Sequence, residues 1–291
     1  MTGPRPIRQS GAFVSGLGGP RFRLVSEPAQ GTVIGTVVFA PAFAEEMNKS
    51  RRMTARMARA LAADGWRVVQ RDLLGCGDSA GDFGDATWAA WLDDVEAELK
   101  QSSKDQPVWL WCHRAGALLA SPLLGTRPSL NLLLWQPVLS GAQHLQQFLR
   151  LHAGARIVGG ARADGELTPA QALRAGRRVE VAGYWLNPAL TGGLEAAKFE
   201  VPEGHVGRVE IFEVHLEADA PDLPPRISML VEALCARGVP ARARSVTGPS
   251  FWLTQEIEEC EPLLVASVEA LRGNVWRDAG AGSGPRSDSG A

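Results

Sequence analysis

The sequence has 291 residues, a formal net charge of −2 at pH 7 and a hydrophobic fraction of 45%. The near balance of charges excludes the global basic field that attracts nucleic acids. No apolar run approaches the roughly 18 residues of a membrane-spanning helix. The first residues, MTGPRPIRQSGAF, lack the apolar segment of a signal peptide. We therefore expect a cytoplasmic protein that has no membrane span and no nucleic-acid partner.

The first half of the chain alternates between predicted strands and helices. Met53, Met57 and Leu61 recur every four residues and predict a helix that Asn48 or Ser50 caps and Gly65 ends. A second helix is predicted over 87–99. The predicted strands of this half are 21–26, 32–40, 66–70, 108–111 and 130–135. This order is typical of a parallel sheet with helices on both faces.

Regular alternation weakens after the strand over 130–135 and returns later. Residues 140–207 contain the amphipathic segment QHLQQFLRL and a predicted helix around 169–178, which we interpret as an inserted helical lid. Strands over 208–214 and 241–246 and helices over 227–237 and 255–271 follow. The expected organisation is a core over 1–139 and 208–277, a lid over 140–207, and a disordered tail over 278–291.

The segment WLWCHRAGA, Trp109 to Ala117, leads from a predicted strand through a turn of small residues into a predicted helix. It resembles the nucleophile elbow of α/β hydrolases, Gly-x-Ser-x-Gly, in which the serine projects from the turn. Arg114 stands at the serine position, and it has no deprotonated form that could attack a substrate. His113 beside it is expected to be packed and hydrogen-bonded.

A second segment, RDLLGCGDSAGDF, follows a predicted strand and resembles the D-x-x-G-x-G-x-S loop of α/β hydrolases. Asp72, Gly75, Gly77 and Ser79 are in register with that pattern. Residues 77–81 also match Gly-x-Ser-x-Gly literally, but a loop follows them instead of a helix. Ser79 is therefore a candidate nucleophile that the pattern more strongly favours as a turn residue.

These two segments, together with APAFAEEMNKSRRM over 40–53, resemble the bacterial exosortase A system-associated hydrolase 2 family. The resemblance implies an α/β-hydrolase fold, namely a mostly parallel central sheet with helices on both faces and a helical lid. It also implies an ester or acyl hydrolase, or an acyl-transfer enzyme, that accompanies exopolysaccharide gene clusters. Members of that family accompany exopolysaccharide and protein-sorting gene clusters, and a small-molecule, acyl or sugar ligand is the expected partner.

The resemblance also indicates where the other catalytic residues belong. The acid is expected after the strand over 208–214, at Glu217 or Asp219. The catalytic histidine belongs in SVTGPSFWLTQ, 245–255, which contains no histidine but does contain Trp252. His215 is the histidine that we expect to face the pocket. His144, His152 and His205 have no metal spacing and are expected at the surface.

Two interpretations of Arg114 stay open at this point. With the amide of Ala115 at the start of a helix, it could bind an anionic ligand. Alternatively, Glu45, Glu46 or Asp78 could neutralise it in an internal ion pair. Phe43, Glu45, Glu46, Asp78, Ala115 and Trp252 are thus the candidate ligand-contact residues.

Three functions remain under consideration: a rearranged hydrolase that uses Ser79 or Cys112, a catalytically silent binding protein, and a scaffold for pathway partners. The four cysteines, Cys76, Cys112, Cys235 and Cys260, form no CxxC pair and have no zinc-like spacing. We expect reduced thiols, no bound metal and no cofactor.

Overall fold

A central sheet organises the molecule in this computed structural model, which describes residues 5–103, 105–157, 167–216 and 223–273. The strands are β1 (Ile7–Val14), β2 (Arg21–Pro28), β3 (Thr36–Ala40), β4 (Arg67–Arg71), β5 (Val108–His113), β6 (Asn131–Trp135), β7 (Val179–Val181), β8 (Tyr184–Leu186), β9 (Val209–His215) and β10 (Ala241–Thr247). Eight of them form one sheet in the order β1-β2-β4-β3-β5-β6-β9-β10. Strand β2 pairs antiparallel with both β1 and β4. All other neighbours in this sheet pair in parallel, in the order β4-β3-β5-β6-β9-β10. The expected mostly parallel sheet is confirmed.

Helices cover both faces of this sheet. They are α1 (Glu45–Asp64), α2 (Trp88–Gln101), α3 (Gly116–Leu124), α4 (Gly141–Ile157), α5 (Pro169–Arg174), α6 (Pro188–Ala196), α7 (Pro225–Ala236) and α8 (Glu261–Arg272). Met53, Met57 and Leu61 on α1 are fully buried with α8 against one face of the sheet. The other face buries α2, α3 and α7. Two apolar layers therefore enclose the strands, as a doubly covered parallel sheet requires.

The chain between β6 and β9 leaves the sheet and returns to it. It forms α4, α5, α6 and the two-stranded antiparallel sheet β7-β8. Helix α4 packs against α6, and α6 packs against α2 of the core. We refer to α4 to α6, with β7 and β8, as the insertion. It lies on the side of the sheet that carries the elbow.

Some sequence-based boundaries need correction. Helix α1 begins at Glu45, so Asn48 and Ser50 lie inside it and neither caps it; the cap position is Ala44, with φ 50° and no side-chain hydrogen bond. Helix α8 begins at Glu261 rather than at 255. The edge strand β1 was not expected, because its mixed polar sequence is exposed along most of its length. The predicted tail over 278–291 lies outside the described residues.

A buried group of charges ties the N-terminal strands to the helical layer. Asp94 of α2 accepts hydrogen bonds from Arg21 Nε at 2.8 Å and from the backbone amide of Leu74 at 2.9 Å. Arg71 lies 3.4 Å from Asp94 and 3.0 Å from Glu98. All four charged side chains are almost completely buried. Their pairing holds the loop after β4 against α2, beside the elbow.

No helix in the described ranges is long and apolar enough to cross a membrane.

We predict that Asp94→Ala destabilises the protein strongly, since it leaves the buried guanidinium of Arg21 without a carboxylate and leaves Arg71 with Glu98 alone. Loss of one partner of a buried pair lowers the free energy of unfolding by about 3–5 kcal/mol. Asp93 is exposed on the same helix, and Asp93→Ala is the matched control, with an expected change within about 0.5 kcal/mol. Urea denaturation measures both variants. Similar losses in the two would contradict the role assigned to Asp94.

Candidate functional site

The elbow after β5 has the strained backbone that a projecting side chain requires. Arg114 has φ 52°, in the left-handed region that non-glycine residues rarely occupy. Helix α3 begins two residues later at Gly116, where an added Cβ would lie 2.2 Å from the carbonyl oxygen of Ala40. The backbone of the elbow is thus held by β3, β5 and α3, independently of the side chain at position 114.

The guanidinium of Arg114 forms an ion pair with Glu46. Nε and Nη2 both donate to the same carboxylate oxygen, Oε1, at 3.1 and 2.9 Å. The exposed fractions of the two side chains are 16% and 15%. Glu46 lies in the first turn of α1, immediately after the loop that follows β3. Of the three carboxylates considered for Arg114, Glu46 is therefore the one that pairs with it.

The remaining contacts of Arg114 come from the ends of β6 and β10. Nη1 lies 3.4 Å from the carbonyl oxygen of Gln136, and the guanidinium lies 5.6 Å from the ring centre of Trp252, within the range of a cation–π contact. Trp252 belongs to the segment after β10, where the resemblance places the catalytic histidine. Arg114 and Trp252 therefore lie close together at the two positions where the resemblance leads us to expect the nucleophile and the catalytic histidine.

The second oxygen of Glu46 faces a histidine of the insertion. His144 of α4 is 7% exposed, and its Nε2 lies 3.9 Å from Glu46 Oε2. Neither atom has a hydrogen-bond partner within the described ranges. Burial lowers the pKa of His144, Glu46 raises it and Arg114 lowers it. The imidazole and the carboxylate are close, but no hydrogen bond joins them.

A second buried carboxylate approaches Arg114 through Gln136. Gln136 has φ 43°, and its amide nitrogen donates to Glu213 Oε2 at 2.9 Å while its amide oxygen accepts from the backbone of Val214 at 2.6 Å. The Glu213 side chain is fully buried, and its counter-ion Arg226 is 3.6 Å away. Burial raises the pKa of Glu213 to about 7, against smaller opposing effects of Arg226 and Arg114.

Other predicted site residues lie in different environments. Phe43 is buried and packs edge-on to Phe148 of the insertion, with ring centres 5.2 Å apart. Ala115 is buried beside the elbow and has the αR backbone conformation. Glu45 lies 3.0 Å from Lys49 on the same helix, and Asp78 is exposed and donates its amide to Asp72. Trp185 of β8 is 53% exposed.

The two candidate nucleophiles, Ser79 and Cys112, are both buried. The hydroxyl of Ser79 donates to the carbonyl oxygen of Asp72 at 2.5 Å and accepts from the amide of Phe22 at 2.9 Å. Cys112 is fully buried, and burial raises the pKa of its thiol far above the ordinary value. His215 ends β9, and Asp219 and Glu217 lie outside the described residues. No group of three metal-ligating side chains occurs within the described ranges.

The expected positions of two histidines and the expected hydrogen bonding of a third need correction. His144 and His205 were expected at the surface, but they are 7% and 3% exposed. His113 is buried as expected, where it stacks on Phe251 with ring centres 5.4 Å apart. Neither of its ring nitrogens has a hydrogen-bond partner within the described ranges, and it borders a cavity of about 60 Å³ under α1. Whether such a side chain is buried depends on which elements pack together, so helix periodicity alone does not predict its burial.

Sequence reasoning also missed Gln136 and Glu213. Strand β9 reads VEIFEVH, and a glutamate within such an apolar run is a signal of a buried, functionally placed charge. Gln136 gives no comparable signal, because its role follows from the left-handed turn after β6.

Comparison with known proteins places this geometry in a superfamily. The family model described as serine aminopeptidase, S33, an α/β-hydrolase family, matches residues 28–175, about half of the chain. No curated protein matches the sequence. The structure of Est1E from Butyrivibrio proteoclasticus with ferulic acid bound is similar, with a TM-score of 0.61, 13% identity, and coverage of 91% of this chain and 99% of that one.

Two further structures have the same fold. The mouse α/β hydrolase domain-containing protein 10 has a TM-score of 0.53 and 12% identity, with 92% of this chain and 99% of that chain covered. The Pyrobaculum calidifontis esterase has a TM-score of 0.53 and 17% identity, with 94% and 85% covered. At these identities the likeness establishes the fold alone.

We predict that Arg114→Ala lowers the free energy of unfolding by about 2 kcal/mol, less than a fully buried pair, because a sixth of each side chain is exposed. The double variant Glu46→Ala/Arg114→Ala should lose less stability than the two single losses add up to, since it leaves no carboxylate unpaired. Urea denaturation measures the cycle, with Glu45→Ala as the neighbouring control. Additive losses in the double variant would contradict the ion pair.

We predict that Glu213 makes stability fall as pH rises. Its native pKa of about 7 exceeds the ordinary value, so the native state holds an extra proton between about pH 4.5 and 7. The associated loss is at most about 3 kcal/mol. Glu213→Gln removes this titration, and the exposed Glu232→Gln is the control. Unfolding free energies from pH 5 to 9 with equal slopes in wild type and Glu213→Gln would contradict the prediction.

Proposed function

Since the chain belongs to the serine aminopeptidase S33 family of α/β hydrolases, we propose that it uses this fold to bind a carboxylate ligand without hydrolysing it. The observation that carries the proposal is the Arg114–Glu46 ion pair at the nucleophile position, beside Trp252. A serine hydrolase needs a hydroxyl, a base that accepts its proton and an acid that orients the base. A guanidinium cannot attack, and an indole cannot accept that proton.

The alternative nucleophiles do not favour a rearranged hydrolase. The Ser79 hydroxyl donates its proton to one backbone group and accepts a hydrogen bond from another. The Cys112 thiol is fully buried with its pKa raised, so its reactive thiolate form is disfavoured. Catalytic silence is the simpler interpretation of this site.

The geometry of the ion pair supports a carboxylate as the ligand. One oxygen of Glu46 accepts both hydrogen bonds from Arg114. The strongest guanidinium–carboxylate pairs are bidentate and use both carboxylate oxygens, so this pair is weaker than that geometry allows. A ligand carboxylate could replace Glu46 on the guanidinium with the same chemistry. The aromatic side chains of Trp252 and Phe43 pack near the exchange position and are 3% and 1% exposed in the free protein. A ligand with an apolar or aromatic body is the class that matches these neighbours.

The sequence resemblance to exosortase A system-associated hydrolases supports a role beside exopolysaccharide synthesis or protein sorting. In that setting the ligand would be an acyl or sugar acid. We propose this association from the elbow, the loop over 71–83 and the segment over 40–53.

One preparation of purified protein tests both that the site does not react as a hydrolase and that it binds a carboxylate. Purified protein is incubated with a fluorophosphonate and with a p-nitrophenyl ester, and its intact mass is measured. We expect no adduct on a folded sample. The same preparation is then mixed with ferulate, the ligand of Est1E, or with octanoate, and its melting temperature is measured.

We expect both carboxylates to raise the melting temperature of the wild type, because they bind the native state. Methyl ferulate, which lacks the charge, should not, and Arg114→Ala should lose the effect. A covalent adduct on Ser79 or Cys112 would replace the proposal with a rearranged hydrolase. Equal stabilisation of wild type and a folded Arg114→Ala would contradict binding at the elbow.

A further inference from the structure

The insertion contributes a buried acid–base couple to the elbow. Glu46 Oε2 and His144 Nε2 lie 3.9 Å apart, and neither has a hydrogen-bond partner within the described ranges. Buried polar atoms are nearly always hydrogen-bonded, so this facing pair can form a hydrogen bond that the described arrangement lacks. The missing component is a proton on His144, which would make the couple a charge-assisted hydrogen bond.

Burial keeps that proton away in the free protein, and Arg114 adds to this effect. Its guanidinium neutralises Glu46 through Oε1 and also repels a charge on the imidazole. A neutral His144 is the expected form because it is buried and its nearby carboxylate already has a counter-ion. Arg114 therefore carries one positive charge, Glu46 carries one negative charge, and His144 is neutral.

We propose that His144 is a proton-binding residue of the ligand site: a ligand carboxylate takes Arg114 from Glu46, and Glu46 then pairs with His144, which gains one proton from solvent. The inference rests on the proposed function, and it defines the ligand class more narrowly as monoanionic carboxylic acids, bound with one proton. The proton forms an N–H bond at Nε2, and no other covalent bond changes. The site then holds two ion pairs instead of one, and its net charge is unchanged.

Other titratable groups near α4 do not replace His144 in this role. Helices α5 and α6 carry Arg174 and Glu195, which pair with each other at 2.6 Å in exposed positions. Glu180 of β7 and Arg150 of α4 itself are exposed. The Glu213 carboxylate reaches Arg114 through Gln136 rather than through His144. It is a competing proton site, so the experiment includes it.

The first measurement needs no ligand. In protein with ¹⁵N-labelled histidine, NMR titration follows the pKa of His144 in wild type and in Arg114→Ala. We expect this pKa to rise in the variant, because the repulsion by Arg114 is gone and Glu46 has lost its counter-ion. An unchanged pKa in a folded variant would overturn the proposal, since it would mean that Arg114 does not control the imidazole.

The second measurement is calorimetric titration with ferulate and octanoate in Tris and in HEPES, whose ionisation enthalpies differ. We expect an uptake of about one proton per ligand, and affinity that falls by up to about tenfold per pH unit between the free and bound pKa values of His144. His144→Gln should bind without this uptake. His205→Gln, a change at another buried histidine, should keep it.

The outcomes separate the two proposals. Binding without proton uptake, or uptake that persists in His144→Gln and disappears in Glu213→Gln, would overturn the role of His144 and leave the carboxylate site standing. No binding of either ligand by wild type would overturn the proposed function, and the coupled exchange with it. Uptake that is lost in His144→Gln alone supports both.

Discussion

The site is organised by one electrostatic requirement: a guanidinium at the elbow must have a counter-ion. The elbow fixes the Cα position and the direction of the side chain through a left-handed turn between β5 and α3. A largely buried cation in that position is stable only when a carboxylate lies within reach. Glu46 meets this requirement from the first turn of α1, so the loop after β3 and the elbow are joined by charge.

The backbone of the elbow and its chemistry are separable. Gly116 is required because any side chain there would collide with β3, and this constraint holds whatever residue occupies position 114. The strained φ of Arg114 is likewise a property of the strand-to-helix turn. The fold can therefore keep the geometry of a nucleophile while the residue that it presents binds charge instead, which is why fold alone does not establish activity.

Much of this architecture follows from the sequence, and the exceptions have physical causes. The strand and helix alternation, the elbow and the loop after β4 are local patterns, and the structure has them. The start of α1 was misplaced because its cap, Ala44, makes no side-chain hydrogen bond and leaves no signature in the sequence. The burial of His144 and the approach of Glu213 arise from long-range packing of the insertion and of β9. The apolar run of β9 signals that Glu213 is buried, but no local pattern encodes which elements His144 and Glu213 contact.

The balance of buried charges limits which anions the proposed site can bind. Arg114 and Glu46 balance each other, and Glu213, with a pKa near 7, contributes a variable negative charge beside Arg226. An added anion without a compensating proton would leave one carboxylate in a largely buried region without a partner, at a free-energy cost similar to that of a broken ion pair. A dianion would need two such protons, while His144 offers one unpaired nitrogen toward Glu46. In the proposed ligand site, this charge balance favours a weak monoacid over phosphate-like dianions, and the preference would come from the protein's own buried charges rather than from the shape of a pocket.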